Sequence, residues 1–190
     1  MRHGIPDGLR RDSKLWLPFR SGSLTDESGQ GGTVTRAGGR AERADGYYQD
    51  AMQFGTVGGA VDYPRLLVAA AAAPAVSGRL TVRLRVLPPA PGTLSSWVTR
   101  RARDGTEADA WAVEGTSANV IFTVWNPAGT SDSVSLADHG FARSLVSTAR
   151  WLEVVVVYSA GAFLEIRIDG QRAKAKFKKM LRPFDLMRIE

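Results

Sequence analysis

The sequence predicts an all-β protein, large enough for a two-sheet core, built as an antiparallel sandwich or jelly roll. Three observations carry this. Short runs of alternating or β-branched residues recur at a spacing of roughly 8–12 residues, the rhythm of sandwiches. Between them lies dense turn chemistry, at Asp104-Gly105, Glu114-Gly115, Asn126-Pro127, Gly140 and Asp169-Gly170. One run, residues 151–158, is apolar on both faces: Leu152, Val154, Val156 and Tyr158 lie on one side, with Trp151, Val155, Val157 and the lone Glu153 on the other. That pattern marks a central strand covered on both sides.

Taken in order, residues 1–13 read as an arm, with glycine, proline and charge but no periodicity. A single domain is expected over 14–190. Residues 14–19 (KLWLPF) alternate, and Pro18 makes them an edge or terminal strand because it cannot donate to a ladder. A glycine-rich turn and a short strand over 33–36 follow, and 38–46 read as loop. Residues 51–54 and 60–63 read as short strands, while the alanine run 69–73 next to Pro74 is divided between loop and helical turn.

Residues 79–87 (RLTVRLRVL) make the clearest amphipathic strand. Leu80, Val82, Leu84 and Val86 face a core, and Arg79, Thr81, Arg83 and Arg85 face solvent or an acidic partner. Strands are then expected over 94–99, 111–114, 120–125 and, more weakly, 132–136. The last group is a hairpin over 151–168, a two-residue Asp169-Gly170 turn, a strand over 172–177 and another over 184–190. In 164–169, Leu164, Ile166 and Ile168 alternate with Glu165, Arg167 and Asp169, which places a wet face on that strand.

Composition narrows the chemistry. The 190 residues contain no cysteine, which excludes disulfides, thiolate nucleophiles and cysteine zinc sites. His3 and His139 are the only histidines, too few for a histidine metal centre. The formal charge of +6 favours acidic surfaces. No apolar run is long enough to span a bilayer, and the polar start lacks a signal-peptide core, so the expectation is synthesis and folding in the cytoplasm.

Residues Trp151, Val154, Tyr158, Gly161, Leu164, Ile168, Asp169 and Gly170, in that order, resemble the laminin-G-like, concanavalin A-like jelly-roll superfamily. Its members commonly carry a Trp-initiated apolar strand, a glycine turn and an alternating strand ending in Asp-Gly. The resemblance extends to LWLPF, to an Asp-x-Ser-Gly turn at Asp26, Ser28 and Gly29, and to the segment marked by Gly46, Ala51, Phe54 and Asp62. It implies a concanavalin A-like sandwich used as a lectin, a glucanase or a virion part. Two departures argue against carrying over a ligand or calcium site: Gly55 replaces an acidic residue, and Leu152-Glu153 displaces a histidine.

The glucanase branch uses a strand motif resembling Glu-x-Asp-x-x-Glu, which projects two carboxylates from one face. Here Glu107 and Asp109 are followed by Ala112 where the second glutamate is needed, and Glu114 lies two residues further on. The mismatch favours a solvated turn, and no catalytic residue, cofactor site or metal site is expected. Asp26, Asp45, Asp50 and Asp62 have no calcium-loop spacing, and Asp138-His139 reads as surface loop.

Trp16, Trp97, Trp111, Trp125 and Trp151 read first as core. Trp125 with Asn126, at a strand end, is the expected exposed pair for a sugar. Arg2, Arg10 and Arg11 in the arm, and Lys174, Lys176 and Lys178 in the alternating basic strand, are the expected assembly contacts. That strand reads first as a solvated edge protected by lysine. The single interleaved aromatic, Phe177, argues against nucleic acid.

The expected function is therefore a non-enzymatic structural or interaction protein. The leading reading is a phage or viral virion component, either a capsid decoration or a tail-associated adhesion subunit, assembled in the host cytoplasm. Its partners would be other virion proteins, copies of itself or surface glycans, with no membrane insertion. The alternative is a carbohydrate-binding, lectin-like module.

Overall fold

The computed structural model describes residues 13–37, 40–45, 50–55, 65–68, 78–87, 95–100, 111–116, 119–125, 130–139, 150–169 and 171–176. They fall into two compact units, Met1–Pro74 and Ala75–Glu190. Secondary structure among them is antiparallel β with two short 3-10 turns, so the all-β class holds.

In the first unit, β1 (Val34–Ala37) pairs with β4 (Arg65–Val68), and β2 (Arg40–Asp45) pairs with β3 (Asp50–Gly55). Two of these strands correct the sequence reading. Residues 40–45 (RAERAD) lack an apolar alternation and read as loop, yet they form a ladder against β3 from Arg40↔Gly55 to Asp45↔Asp50. Strand β4 starts on Arg65 and enters a continuous apolar run that carries no period-2 signal. The expected strand over 60–63 and the alanine run lie outside the described residues.

The expected strand over 14–19 does not form. A carboxylate takes the place of a neighbouring strand. Asp26 Oδ1 accepts the Trp16 and Ser28 amides, both at 2.9 Å. Asp26 Oδ2 accepts the Ser28 hydroxyl at 2.8 Å and the Gly32 amide at 2.9 Å. Glu27 donates its amide back to the Trp16 carbonyl at 2.9 Å, so both backbone groups of Trp16 are satisfied by a loop. Gly29 and Gly31 adopt φ of 82° and 73°, which the loop path requires and side chains resist. The extended segment ends at Phe19, itself left-handed at φ 57°, and a 3-10 turn follows at Arg20–Gly22.

Burial acts to raise the Asp26 carboxyl. The hydrogen bonds from Trp16, Ser28 and Gly32 together outweigh it and hold the group below its ordinary value of 3.8. Asp26→Ala should therefore speed amide exchange at Trp16, Ser28 and Gly32 by about tenfold or more, read by hydrogen–deuterium exchange. Unchanged protection would show that the loop is held by something else.

In the second unit, two four-stranded antiparallel sheets face each other. One runs β12-β11-β10-β5, from β5 (Arg79–Val86), β10 (Leu152–Ser159), β11 (Phe163–Ile168) and β12 (Gln171–Lys176). The other is a meander, β6 (Ser95–Arg100), β7 (Trp111–Gly115), β8 (Val120–Trp125) and β9 (Ser131–Ser135). The shared core takes Leu152, Val154, Val156, Leu164, Ile166 and Ile168 from the first sheet. From the second come Trp111, Val113, Val120, Phe122, Val124 and Val134. The apolar strand read as central is central: β10 is flanked by β5 and β11.

The turn chemistry also acts as read. Ser159 pairs with Phe163 around a reversal in which Gly161 has φ 66°. Ile168 pairs with Gln171, so two residues join β11 to β12, and Asp169, the first of them, has φ 47°. Asp169 also holds the start of β10: its Oδ1 accepts the Glu153 amide at 3.1 Å, and its Oδ2 pairs with Arg150 at 2.6 Å. The expected strand over 184–190 lies outside the described residues.

Candidate functional site

The two faces of the β12-β11-β10-β5 sheet have opposite chemistry. Its inner face is the apolar core. Its outer face carries Arg79, Arg83 and Arg85 from β5, Glu153, Val155 and Val157 from β10, and Glu165 and Arg167 from β11. Arg172 from β12 is the Cα partner of Arg167. Five arginines thus stand against two glutamates, with Lys174 and Lys176 in register behind them. A positive surplus on a sheet face is a field that attracts anions.

Both glutamates are engaged by arginine pairs. Glu153, which stands out in its apolar strand, accepts Arg83 at 2.9 Å on Oε1 and Arg85 at 2.7 Å on Oε2. The wet face expected of this strand holds at Arg167 and Asp169, which are exposed, whereas Glu165 between the sheet and its arginines is 0% exposed. Its Oε1 accepts Arg167 Nε, and its Oε2 accepts Arg172 Nε and Nη2 at 2.6 Å. Burial acts to raise this carboxyl, but the hydrogen bonds and then the charges of Arg167 and Arg172 prevail. The group is held below its ordinary value of 4.5.

The register explains why these residues meet. A two-residue turn at 169–170 forces Arg167 opposite Arg172 and Glu165 opposite Lys174. Glu165 and Arg167, two residues apart on one strand, share a face. The signal was present in the sequence, in the Asp-Gly turn combined with the alternation on either side.

The sequence-predicted site residues fare differently. Trp125 ends β8, half-buried, opposite Ser131. Lys174 and Lys176 lie in β12, at the sheet edge, as Cα partners of Glu165 and Phe163. Asn126, Arg2, Arg10, Arg11 and Lys178 lie outside the described residues, as do Glu107, Asp109 and Asp62. Glu114 accepts the Ser96 hydroxyl at 2.8 Å. Trp111 is in the core, and Trp97 packs against it.

Asp26 cannot double as a calcium ligand while its oxygens accept four donors. Among the described residues no group of three or more His, Asp or Glu is placed to hold a metal. Asp138 and His139 sit on a 3-10 turn (Ala137–His139), where the Ser135 hydroxyl donates to Asp138 at 2.7 Å and His139 Nδ1 lies 3.0 Å from the Ser135 carbonyl. These are local turn contacts. The serine addresses the carboxylate rather than the imidazole, so the trio is not arranged for nucleophile activation.

No protein-family profile matches the chain, and no curated protein sequence matches it. Solved structures do. One is a botulinum neurotoxin type C structure concerned with cell entry dependent upon interaction with two ganglioside molecules. It is 16% identical, covering 93% of this chain and 42% of that one, with a TM-score of 0.66. Another is the binding domain of Paraclostridial Mosquitocidal Protein 1, at 11% identity, 88% and 41% coverage and a TM-score of 0.68. A third is the binding domain of botulinum neurotoxin DC in complex with rat synaptotagmin II, at 16% identity, 86% and 39% coverage and a TM-score of 0.61. At these identities the likeness is one of fold, and this chain spans about two fifths of the length of those chains. The all-β sandwich is common to them.

Proposed function

We propose that this chain is a non-enzymatic recognition module whose outer sheet face engages a negatively charged partner. The observation that carries the reading is the surplus of arginine on that face, with both of its glutamates used to hold arginines in place. Carboxylates committed to ion pairs in this way are scaffold for cations rather than an acid/base couple. The fold likeness to toxin binding domains supports the same class, since one of those proteins is described with ganglioside molecules and another in complex with rat synaptotagmin II. The test is biosensor binding of the full chain to heparin, polyglutamate and neutral dextran across a salt series. Binding to an anionic probe that weakens steeply with salt, with no dextran signal, is the expected result. Equal response to dextran would overturn it.

We also read the chain as a single-domain member of the concanavalin A-like, laminin-G-like superfamily, supported by the Asp26-x-Ser28-Gly29 loop and the hairpin ending at Asp169-Gly170. A lectin use at the Trp125 end of β8 remains a second reading, favoured by that half-buried ring at a strand terminus. The virion reading, with cytoplasmic assembly, is a further proposal about where such a module works. Its test is mass spectrometry of purified particles, and absence from every particle would end it.

A further inference from the structure

The outer sheet face is ordered in transverse rows. Arg83 is the Cα partner of Val155, Val155 of Arg167, and Arg167 of Arg172. One row perpendicular to the strands therefore crosses all four of them, carrying three arginines and one valine. It spans about 14 Å, three strand separations. The carboxylates lie in the rows on either side: Glu153 pairs with Arg83, and Glu165 with both Arg167 and Arg172.

We infer that the row Arg83–Val155–Arg167–Arg172 is a binding site for the oxyanions of an acidic polysaccharide. The inference rests on the recognition-module reading and names its ligand class. Like charges directly opposite each other on neighbouring strands repel, and Arg167 and Arg172 are such a pair. Glu165 carries one negative charge against their two positive ones, which leaves the pair an anion short. It engages Arg167 through Nε and Arg172 through Nε and Nη2, and a guanidinium has five N–H donors. The remaining donors meet no acceptor among the described residues. Both side chains are 51% exposed, and Arg83 is 43% exposed.

Guanidinium groups held from the neighbouring row by a buried carboxylate are pre-oriented, so less entropy is lost when a planar oxyanion docks in two-point fashion. Arginines separated across the sheet by half-buried Val155 suit charges repeated along a chain, with an apolar floor between them. Nucleic acid fits less well, since single strands call for stacking aromatics among the cations, and this row has none.

The test uses the full chain with heparin as the sulfated probe, hyaluronate as the carboxylated probe, a short DNA duplex and polyglutamate. Because alanine at both arginines would strand Glu165, the variant is R167K/R172K, which keeps the charge and removes the two-point geometry. R20A, an exposed arginine of the other unit, controls for net charge. Heparin or hyaluronate should bind, weaken about tenfold in R167K/R172K and stay within about twofold in R20A, with thermal melts confirming folding. The arm that binds tells sulfate from carboxylate. Equal loss in R20A, or no loss in R167K/R172K, overturns the site while the recognition-module reading stands. Binding of polyglutamate alone, or tighter binding of DNA, overturns the ligand class. Failure of every anionic probe overturns both readings.

Discussion

Gly115→Ala is expected to destabilise the protein by about 3 kcal/mol, although alanine would ordinarily favour a strand over glycine by roughly 0.5–1 kcal/mol. The reason is the Trp97 ring. A Cβ at Gly115 would lie 2.0 Å from Trp97 Cζ2 and 2.3 Å from Cη2, inside the indole rather than against a flexible tip. The ring is there because β6 carries a bulge: Ser96 pairs with Glu114 and Val98 with Val113, leaving Trp97 as the extra residue. The bulge turns Trp97 onto the bare backbone of Gly115 and against the core. A double-mutant cycle isolates this effect. Trp97→Leu alone costs packing, but in the Gly115→Ala background it removes the clash, so the double variant should be more stable than the sum of the two singles. Additive effects in thermal denaturation would show that the glycine matters for its backbone alone.

That pair also shows where sequence reading stops. Glu114-Gly115 reads as turn chemistry, yet Gly115 is a strand residue kept bare by a tryptophan from the neighbouring strand. The strands over 79–86 and 163–168 are legible because each presents a period-2 pattern to one core, and that over 152–159 because its β-branched residues are apolar on both faces. Strands β2 and β4 are not, because the alanines of β2 stand three apart, off a period of two, and β4 has three adjacent apolar residues after Arg65. Residues 14–19 fail for a different reason, since a side-chain carboxylate outcompetes a strand partner for Trp16. The candidate site was half legible. The arginines of 79–85 and the lysines of 174–176 each stand out as basic faces. Their assembly around β10 does not, because Arg85 and Glu153 are 68 positions apart and periodicity carries no information about strand order.

Removing the Glu165 carboxylate tests that assembly directly. Glu165→Gln should lower the melting temperature by roughly 4–8 °C, about 2 kcal/mol. Breaking a buried ion pair commonly costs more, but Arg167 and Arg172 are half exposed and water takes up part of their charge. The pH dependence follows from the sign of the shift. Glu165 is held below 4.5 in the folded protein, so its contribution is fully present above 4.5 and is lost as pH falls through the folded value. The wild-type melting temperature should therefore drop in that acid range, and the Gln variant should lose less there. The charged groups that meet this carboxylate among the described residues are Arg167 on β11 and Arg172 on β12. Salt then separates repulsion from lost packing. In Glu165→Gln the facing arginines lack their counter-anion, so the excess of sulfate over chloride in raising the melting temperature, at equal ionic strength, should be larger in this variant than in the wild type. An equal excess in variant and wild type would mean that the arginines repel too weakly to hold an anion, and the arginine row would lose its main physical support.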